Sequence, residues 1–129
     1  MSNFKLSKRS EERLSGVHAD LVAVVKRCLL ITPNDFTVLE GLRSLERQQE
    51  LVDSGASTTM RSRHITGHAV DLAPLVKNEI RWDWPLYHIL AGSMKQAAED
   101  IGIPIEWGGD WKTFKDGPHF QLPWKEYPA

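Results

Sequence analysis

The chain has 129 residues, 41% of them hydrophobic and 26% charged, which is the size and composition of one ordinary globular domain. Its formal net charge of -1 gives no sign of nucleic-acid binding and no reason to expect attraction to anionic membranes. The single cysteine, Cys28, excludes an intramolecular disulfide framework, and the apolar run around it predicts a buried, unreactive thiol.

The N-terminal part begins with a polar arm, residues 1–10, without the apolar segment of a secretory signal. Apolar residues then recur at steps of three and four, which predicts a single helix over residues 10–30. Ser10 is expected to cap this helix, and Pro33 follows its end. His18 has no second ligand four positions further on, so we interpret it as a surface or packing residue.

A short strand and a second helix come next. β-Branched and aromatic residues predict the strand over residues 36–39, Gly41 interrupts the pattern, and residues 44–52 are predicted to be helical. Arg43 lies at the junction, where a cationic fork could hold a carboxylate or the developing oxyanion of a peptide substrate. The alternative is a surface arginine paired with a glutamate.

The middle of the chain is predicted to contain a loop and a β-hairpin. The polar residues 56–63 indicate the loop, and the alternating run 69–73 predicts a strand that points Asp71 away from the Val/Leu core face. A turn is expected at residues 77–78, followed by a short returning strand over 79–82.

The C-terminal part is predicted to hold a long helix and two strands. The helix is expected over residues 85–101 with Asp83 as its cap, and the strands over 103–107 and 118–122. The predicted buried stripe of the helix consists of Leu86, Ile89, Leu90, Met94, Ala97, Ala98 and Ile101. We expect more of the five tryptophans to lie in the core than in a binding groove.

Potential metal ligands gather in the run Ser62–Asp71 (SRHITGHAVD) and in a later Asp-Gly-Pro-His segment. Two imidazoles, one carboxylate and a spare carboxylate form the set that a catalytic zinc site requires, with one coordination position left open. We predict that His64, Asp71 and His119 are the metal ligands. Asp116 is predicted to be the acid/base that takes a proton from water and passes it to the leaving amine. Each segment alone is a weak signal, because His and Asp near glycine occur in many loops.

The two segments together carry a resemblance to a known family. The frame Ser-x-His-x-x-Gly-x-Ala-x-Asp over residues 62–71, followed by Asp-x-x-His at 116–119, resembles the zinc D-Ala-D-Ala carboxypeptidase and VanX/VanY-type peptidase family. Within it, the chain is most similar to the single-domain phage L-alanyl-D-glutamate endopeptidases, which are endolysins. The likeness spans nearly the whole chain and includes residues 38–48, VLEGLRSLERQ.

The resemblance implies an α+β fold of the hedgehog/D,D-peptidase type, with a mostly antiparallel sheet, packed helices and a zinc groove. It implies one zinc peptidase catalytic domain over residues 1–129, and we find no linker to an appended wall-binding domain. In such a site Arg43 would face the zinc ion and stabilise the oxyanion. Substrate contacts are expected from Ser62, Gln48 and His68, with His68 at the site rim or behind the metal ligands rather than on the metal.

The function implied by the resemblance is zinc-dependent cleavage of the L-Ala–D-Glu bond in peptidoglycan stem peptides, leading to host lysis at the end of a phage cycle. The expected cofactor is Zn2+, and the expected protein is a monomer with no nucleic-acid partner and no stable membrane insertion. It would be made in the host bacterial cytoplasm and act on the cell wall after release.

Two alternatives stay open on the sequence. One is a D,D-carboxypeptidase or dipeptidase of the same family, which would release D-Ala and leave the L-Ala–D-Glu bond intact. The other is a non-catalytic zinc domain that only binds the cell wall. Asp116 argues against the second alternative, because a domain without activity has no need of the spare carboxylate.

Overall fold

Two N-terminal helices replace the single helix that the sequence predicts. In the computed structural model, which describes residues 4–128, α1 spans Lys8–Arg13 and α2 spans Ala19–Ile31. Gly16 separates them with a φ of +85°, a left-handed conformation that glycine adopts without strain. The apolar spacing runs through this break because Leu14 and Val17, which lie between the two helices, pack on the same core as the buried residues of α2.

The predicted capping role of Ser10 was wrong, whereas His18, expected at the surface or in packing, packs its ring against that of Tyr127. Ser7 caps α1, whereas Ser10 is buried inside the helix, where its hydroxyl accepts a hydrogen bond from Val38 N at 3.0 Å. This bond fastens α1 to the neighbouring strand. The Nδ1 atom of His18 accepts a hydrogen bond from Asp20 N at 3.0 Å and so caps α2. Residues 1–3 of the predicted arm lie outside the described residues.

Five antiparallel strands form the sheet that positions the site. They are β1 (Phe36–Glu40), β2 (Ala69–Val76), β3 (Glu79–Ile80), β4 (Glu106–Trp107) and β5 (His119–Gln121). The order is β1-β2-β5-β4, and β3 forms a hairpin with β2 across the predicted turn at residues 77–78. The strands predicted over residues 79–82, 103–107 and 118–122 are shorter than expected.

The two remaining helices are α3 (Leu45–Asp53), capped by Ser44, and α4 (Trp84–Ile101), with Asp83 at its N-cap position and Gly102 after its end. The predicted stripe of α4 is partly wrong, because Ile89 and Ile101 are 42% and 39% exposed. The buried residues of this helix are Tyr87, Leu90, Ala91, Met94, Ala97 and Ala98. Alanine and tyrosine therefore cover the sheet where the sequence pattern favoured larger aliphatic residues.

One hydrophobic core joins the described elements and leaves one sheet face free for polar chemistry. Val70, Leu72 and Phe120 are fully buried, and strand alternation turns Asp71 and His119 to the opposite face. Cys28 is also buried in the core, and burial raises the pKa of its thiol to about 12. The prediction of an unreactive thiol is consistent with this environment. No helix among residues 4–128 is both long and apolar enough to span a membrane.

Gly41 allows α1 to approach the end of β1 closely, which gives a first prediction. An added Cβ at Gly41 would lie 2.0 Å from the carbonyl oxygen of Arg13, whereas nothing lies within 4 Å of one added at Gly92 in α4. We expect Gly41→Ala to lower the free energy of unfolding by about 1–3 kcal/mol. Gly92→Ala should raise it by about 0.5–1 kcal/mol, because alanine has less backbone freedom than glycine in the unfolded chain and so loses less on entering the helix. Urea unfolding of the two variants checks this, and equal effects would contradict the packing described here.

Candidate active site

Three side chains that are distant in sequence converge at the centre of the sheet. His64 precedes β2, while Asp71 and His119 are direct cross-strand partners on β2 and β5. Asp71 Oδ1 lies 3.2 Å from His64 Nε2 and 3.4 Å from His119 Nδ1. One ligand atom from each residue falls within 4.8 Å of the other two, so this trio could hold a metal ion.

The outer nitrogen of each imidazole is bonded to an oxygen acceptor. His64 Nδ1 lies 2.8 Å from the carbonyl oxygen of Gly41, and His119 Nε2 lies 2.7 Å from Gln121 Oε1. An imidazole that donates its N–H to such an oxygen presents a lone pair at its other nitrogen. Both lone pairs therefore point toward the Asp71 carboxylate, and three electron-rich atoms face one another. This is the chemistry of a cation site, and outer-nitrogen bonds of this kind orient metal-binding histidines.

The trio favours positive charge, whether a proton or a metal ion supplies it. Burial alone would raise the pKa of Asp71, but His119 and His64, which can hydrogen-bond to the carboxylate once they are protonated, outweigh it and hold that pKa well below its usual range. Burial likewise disfavours the charged form of His119, yet its contact with Asp71 raises the imidazole pKa overall. Without a metal ion, a proton would have to provide the charge that the buried carboxylate demands.

Asp116 lies beside the trio on the turn that leads into β5. The turn is fixed by two backbone hydrogen bonds, from Asp116 N to Gly108 O at 3.0 Å and from His119 N to Asp116 O at 3.2 Å. Burial, followed by the negative charge of Asp71, raises the pKa of the Asp116 carboxyl. A raised pKa makes this carboxylate a stronger proton acceptor than an ordinary aspartate.

Arg43 faces the same site and is held from several sides. Its guanidinium donates to Glu40 and, through Nη1, to Gln48 Oε1 at 2.7 Å, and Nη2 lies 4.0 Å from Asp71 Oδ2. Its backbone N–H also donates to His64 O at 2.9 Å, which ties the residue to the loop that carries the first predicted ligand. Arg43 therefore does pair with a glutamate, Glu40, as the alternative interpretation expected. It is, however, a largely buried arginine beside Asp71 and not a surface residue.

The structure contradicts the prediction that Gln48 contacts substrate. Its side chain is fully buried, and Nε2 donates to Ser57 Oγ at 2.9 Å and to Thr59 O at 2.6 Å. With Oε1 occupied by Arg43, the amide has no group directed at solvent. Gln48 instead connects Arg43 to the loop that precedes the predicted ligand His64.

Ser62 and His68 lie in different surroundings, one lining the groove and the other not. Ser62 lines the groove, and its hydroxyl accepts a hydrogen bond from His64 N at 3.2 Å and a long one from Arg43 Nη1 at 3.4 Å. His68 is not among the residues that line the groove. Its Nδ1 contacts Thr66 Oγ1 at 2.7 Å, and its ring lies near those of His18 and Tyr127. His68 therefore lies outside the groove lining, directly after Gly67, where the chain turns with a φ of +77° before β2 begins.

An open groove of about 840 Å³ leads to the trio. Its walls come from the loop after α3, from the segment between the short 3-10 helix (Gly108–Asp110) and β5, and from the C-terminal segment. Trp111 and Trp124 line it, whereas Trp82 and Trp84 are 60% and 44% exposed, and Trp107 alone is buried. The expectation that more tryptophans lie in the core than in a groove was wrong.

Sequence reasoning missed Gln121 and the carbonyl of Gly41 as partners of the imidazoles. Strand alternation could have found Gln121, since a residue two positions after His119 on β5 shares its face of the sheet. The carbonyl of Gly41 leaves no such signal, because any residue has one.

The chain matches a known family over almost its whole length. The sequence model described as phage L-alanyl-D-glutamate peptidase matches residues 1–122. A protein named L-alanyl-D-glutamate peptidase from Escherichia phage T5 is 33% identical over 118 residues, which cover 88% of this chain and 86% of that protein. A protein of the same name from Listeria phage A118 is 40% identical over 90 residues, 70% of this chain but only 31% of its own length.

Solved structures share the fold. The crystal structure of the Serratia marcescens L-Ala D-Glu endopeptidase ChiX matches with a TM-score of 0.92 and 49% identity, covering 98% of this chain and 96% of that one. A vancomycin-resistance D,D-dipeptidase in complex with a D-Ala-D-Ala phosphinate analogue matches with a TM-score of 0.53 and 23% identity, covering 82% of this chain and 50% of the other. The second match shows a similarity in fold to this D,D-dipeptidase and nothing about function.

Proposed function

The chain belongs to the phage L-alanyl-D-glutamate peptidase family, and from that premise we propose that it hydrolyses the L-Ala–D-Glu bond of peptidoglycan stem peptides with a bound zinc ion. Residues 1–129 would act as one catalytic domain and as a monomer. The protein would reach the cell wall after release from the host cytoplasm, as an endolysin does.

The observation that carries this proposal is the direction of the two imidazole lone pairs. Each outer nitrogen donates to an oxygen, so His64 Nε2 and His119 Nδ1 are left to bind a cation together with Asp71. Two nitrogens and one carboxylate oxygen, with a position left for solvent, are the ligand set of catalytic zinc sites. When bound, zinc would lower the pKa of a water ligand to about 7 and polarise the amide carbonyl.

The protein's own groups supply the proton transfers and part of the charge. Asp116 accepts a proton from the attacking water while the water oxygen bonds to the alanyl carbonyl carbon. It then gives this proton to the glutamate nitrogen as the C–N bond breaks. Arg43 directs its positive charge at the site from beside Asp71, where it can stabilise the oxyanion that forms on the alanyl carbonyl. Glu40 and Gln48 hold that guanidinium in place, and Ser62 holds the backbone of His64.

Product analysis tests the proposed bond specificity. Purified muropeptides incubated with the protein should yield fragments that begin with D-Glu, together with muramyl-L-Ala, and a chelator should stop their formation. Mass spectrometry distinguishes this result from release of D-Ala with the L-Ala–D-Glu bond intact, which would support a D,D-peptidase. Binding to the muropeptides without any cleavage would support a non-catalytic wall-binding domain.

A further inference from the structure

The groove carries more positive charge than the chain as a whole. Its lining includes four cationic side chains but only two carboxylates, although the formal net charge of the protein is -1. The four cationic residues are Arg43, Arg61, Arg63 and Lys115, and the carboxylates are Asp71 and Asp116. A cleft with a local excess of one charge concentrates ligands of the opposite sign.

Two of these cations share one aromatic ring and have no ion-paired carboxylate among the described residues, although the charge of Glu106 acts on one of them, Arg63. The guanidinium carbons of Arg61 and Arg63 lie 5.3 Å and 4.2 Å from the centre of the Trp124 ring. Among residues 4–128 neither arginine forms an ion pair, whereas Arg43 pairs with Glu40 and Asp71. Two like charges over a single indole repel each other, and an anion placed beside them would relieve that repulsion.

Arg63 is buried, holds the C-terminal segment in place and has one N–H donor group, at Nη1, without an acceptor among the described residues. It is only 3% exposed, and its Nη2 donates to the carbonyl oxygens of Leu122 at 2.8 Å and Tyr127 at 2.7 Å. These bonds attach the C-terminal segment to the groove and place Trp124 under the arginines. Its Nη1 is buried and has no partner within the described part of the chain. A buried N–H without an acceptor is costly unless a ligand or water supplies one.

Arg61 is the group in this cluster that is free to bind. It is exposed in the groove, and its backbone is fixed by a 2.9 Å hydrogen bond to Thr59 Oγ1. Within the described part of the chain, no hydrogen bond uses its guanidinium. Lys115, the other exposed cation, already donates to Gly109 O at 3.3 Å. A guanidinium resting on an aromatic face keeps its N–H edges available, and these match a carboxylate in a bidentate pair.

Resting on the proposed function, we propose that Arg61, on its Trp124 platform and backed by Arg63, binds the free carboxylate of the D-Glu residue. Glutamate has two carboxyl groups and a linear peptide continues through only one of them. The residue on the amine side of the cleaved bond therefore presents one carboxylate within a few bonds of the scissile nitrogen. Its recognition would direct the cut to peptides with an acidic residue after L-Ala.

Paired substrates test this assignment. The first is acetyl-L-Ala-D-Glu-L-Ala amide, linked onward through the γ-carboxyl, so that the glutamate α-carboxylate is the only carboxylate. The second carries a carboxamide at that position. With the zinc-loaded wild-type protein, kcat/KM should favour the carboxylate by roughly 10- to 100-fold, the size of a charge-assisted hydrogen bond. Arg61→Gln should abolish this preference, mainly through KM for the first peptide, and Arg61→Lys should restore part of it.

Control variants separate the outcomes. Arg9→Gln removes an exposed arginine outside the groove and should keep the wild-type preference. Equal losses on both peptides in Arg61→Gln, or a selective loss in Lys115→Gln instead, would overturn the assignment to Arg61. If the zinc-loaded wild type cleaves neither peptide but releases D-Ala from muropeptides, the proposed function itself fails.

Discussion

Replacing Asp116 with alanine should lower the rate of L-Ala–D-Glu cleavage by roughly 100- to 10,000-fold, the contribution of a positioned acid/base. The protein should keep one metal ion per chain, because the predicted ligands His64, Asp71 and His119 do not include this carboxylate. Asp116 lies in the groove, and burial raises its pKa, so it is placed to carry the proton from water to the leaving amine.

The measurement pairs the cleavage rate on purified muropeptides with metal content. Asp110→Ala is a matched control, since this exposed carboxylate lies on the neighbouring 3-10 helix and pairs with Lys95 outside the groove. Its rate should stay within about twofold of wild type, as expected for a surface substitution. Undiminished cleavage by Asp116→Ala would remove this residue from the mechanism.

Replacing His119 with alanine should remove both the metal and the activity. The substitution leaves two of the three predicted ligands, Asp71 and His64, and Asp71 loses the imidazole that faces it across the strands. Gln121→Leu should have an intermediate effect and weaken zinc binding by about 10- to 100-fold, because the His119 ring loses the oxygen that orients it. The three proteins should therefore rank in zinc affinity as wild type, Gln121→Leu and His119→Ala.

Competition with a chromophoric chelator measures these affinities, and circular dichroism checks that each variant is folded. His88→Ala serves as the control, since His88 is an exposed histidine on α4 and does not line the groove. It should bind zinc as the wild type does. A folded His119→Ala protein that still takes up one zinc ion with unchanged affinity would place the metal elsewhere.

The elements with strong local signals were predictable. Residues 36–39, 44–52 and 85–101 gave a strand and two helices within a few residues of β1, α3 and α4. The alternation around Asp71 also placed this carboxylate on the polar face of the sheet. These features depend on periodicity and caps, which are local properties of the sequence.

The predictions that were wrong concern features that depend on local breaks or on contacts between distant segments. The first helix was predicted as one because its apolar spacing is continuous, while Gly16 and the cap at His18 divide it. Gln48 was assigned to substrate from its place in a motif, but its amide is consumed by Arg43 and the loop at Ser57. Sequence spacing cannot reveal which partners use up a polar side chain.

The site itself was predictable only in part. The two sequence segments and the resemblance identified His64, Asp71, His119 and Asp116, and the fold brings one ligand atom from each of the first three within 4.8 Å of the others. The groove walls were not foreseen, because the contact between Trp124 and Arg61 joins the C-terminal segment to a loop that is distant in sequence. Arg63 stacks on the same ring and fixes that segment through backbone carbonyls, which leave no mark in the sequence.

Titration of the metal-free protein with zinc, followed by the rate of L-Ala–D-Glu cleavage, tests the central claim most directly. The rate should rise linearly from zero and level off at one zinc ion per chain, as expected for a single catalytic site formed by His64, Asp71 and His119. Full activity before any zinc is added, or stoichiometric zinc uptake without cleavage, would contradict it.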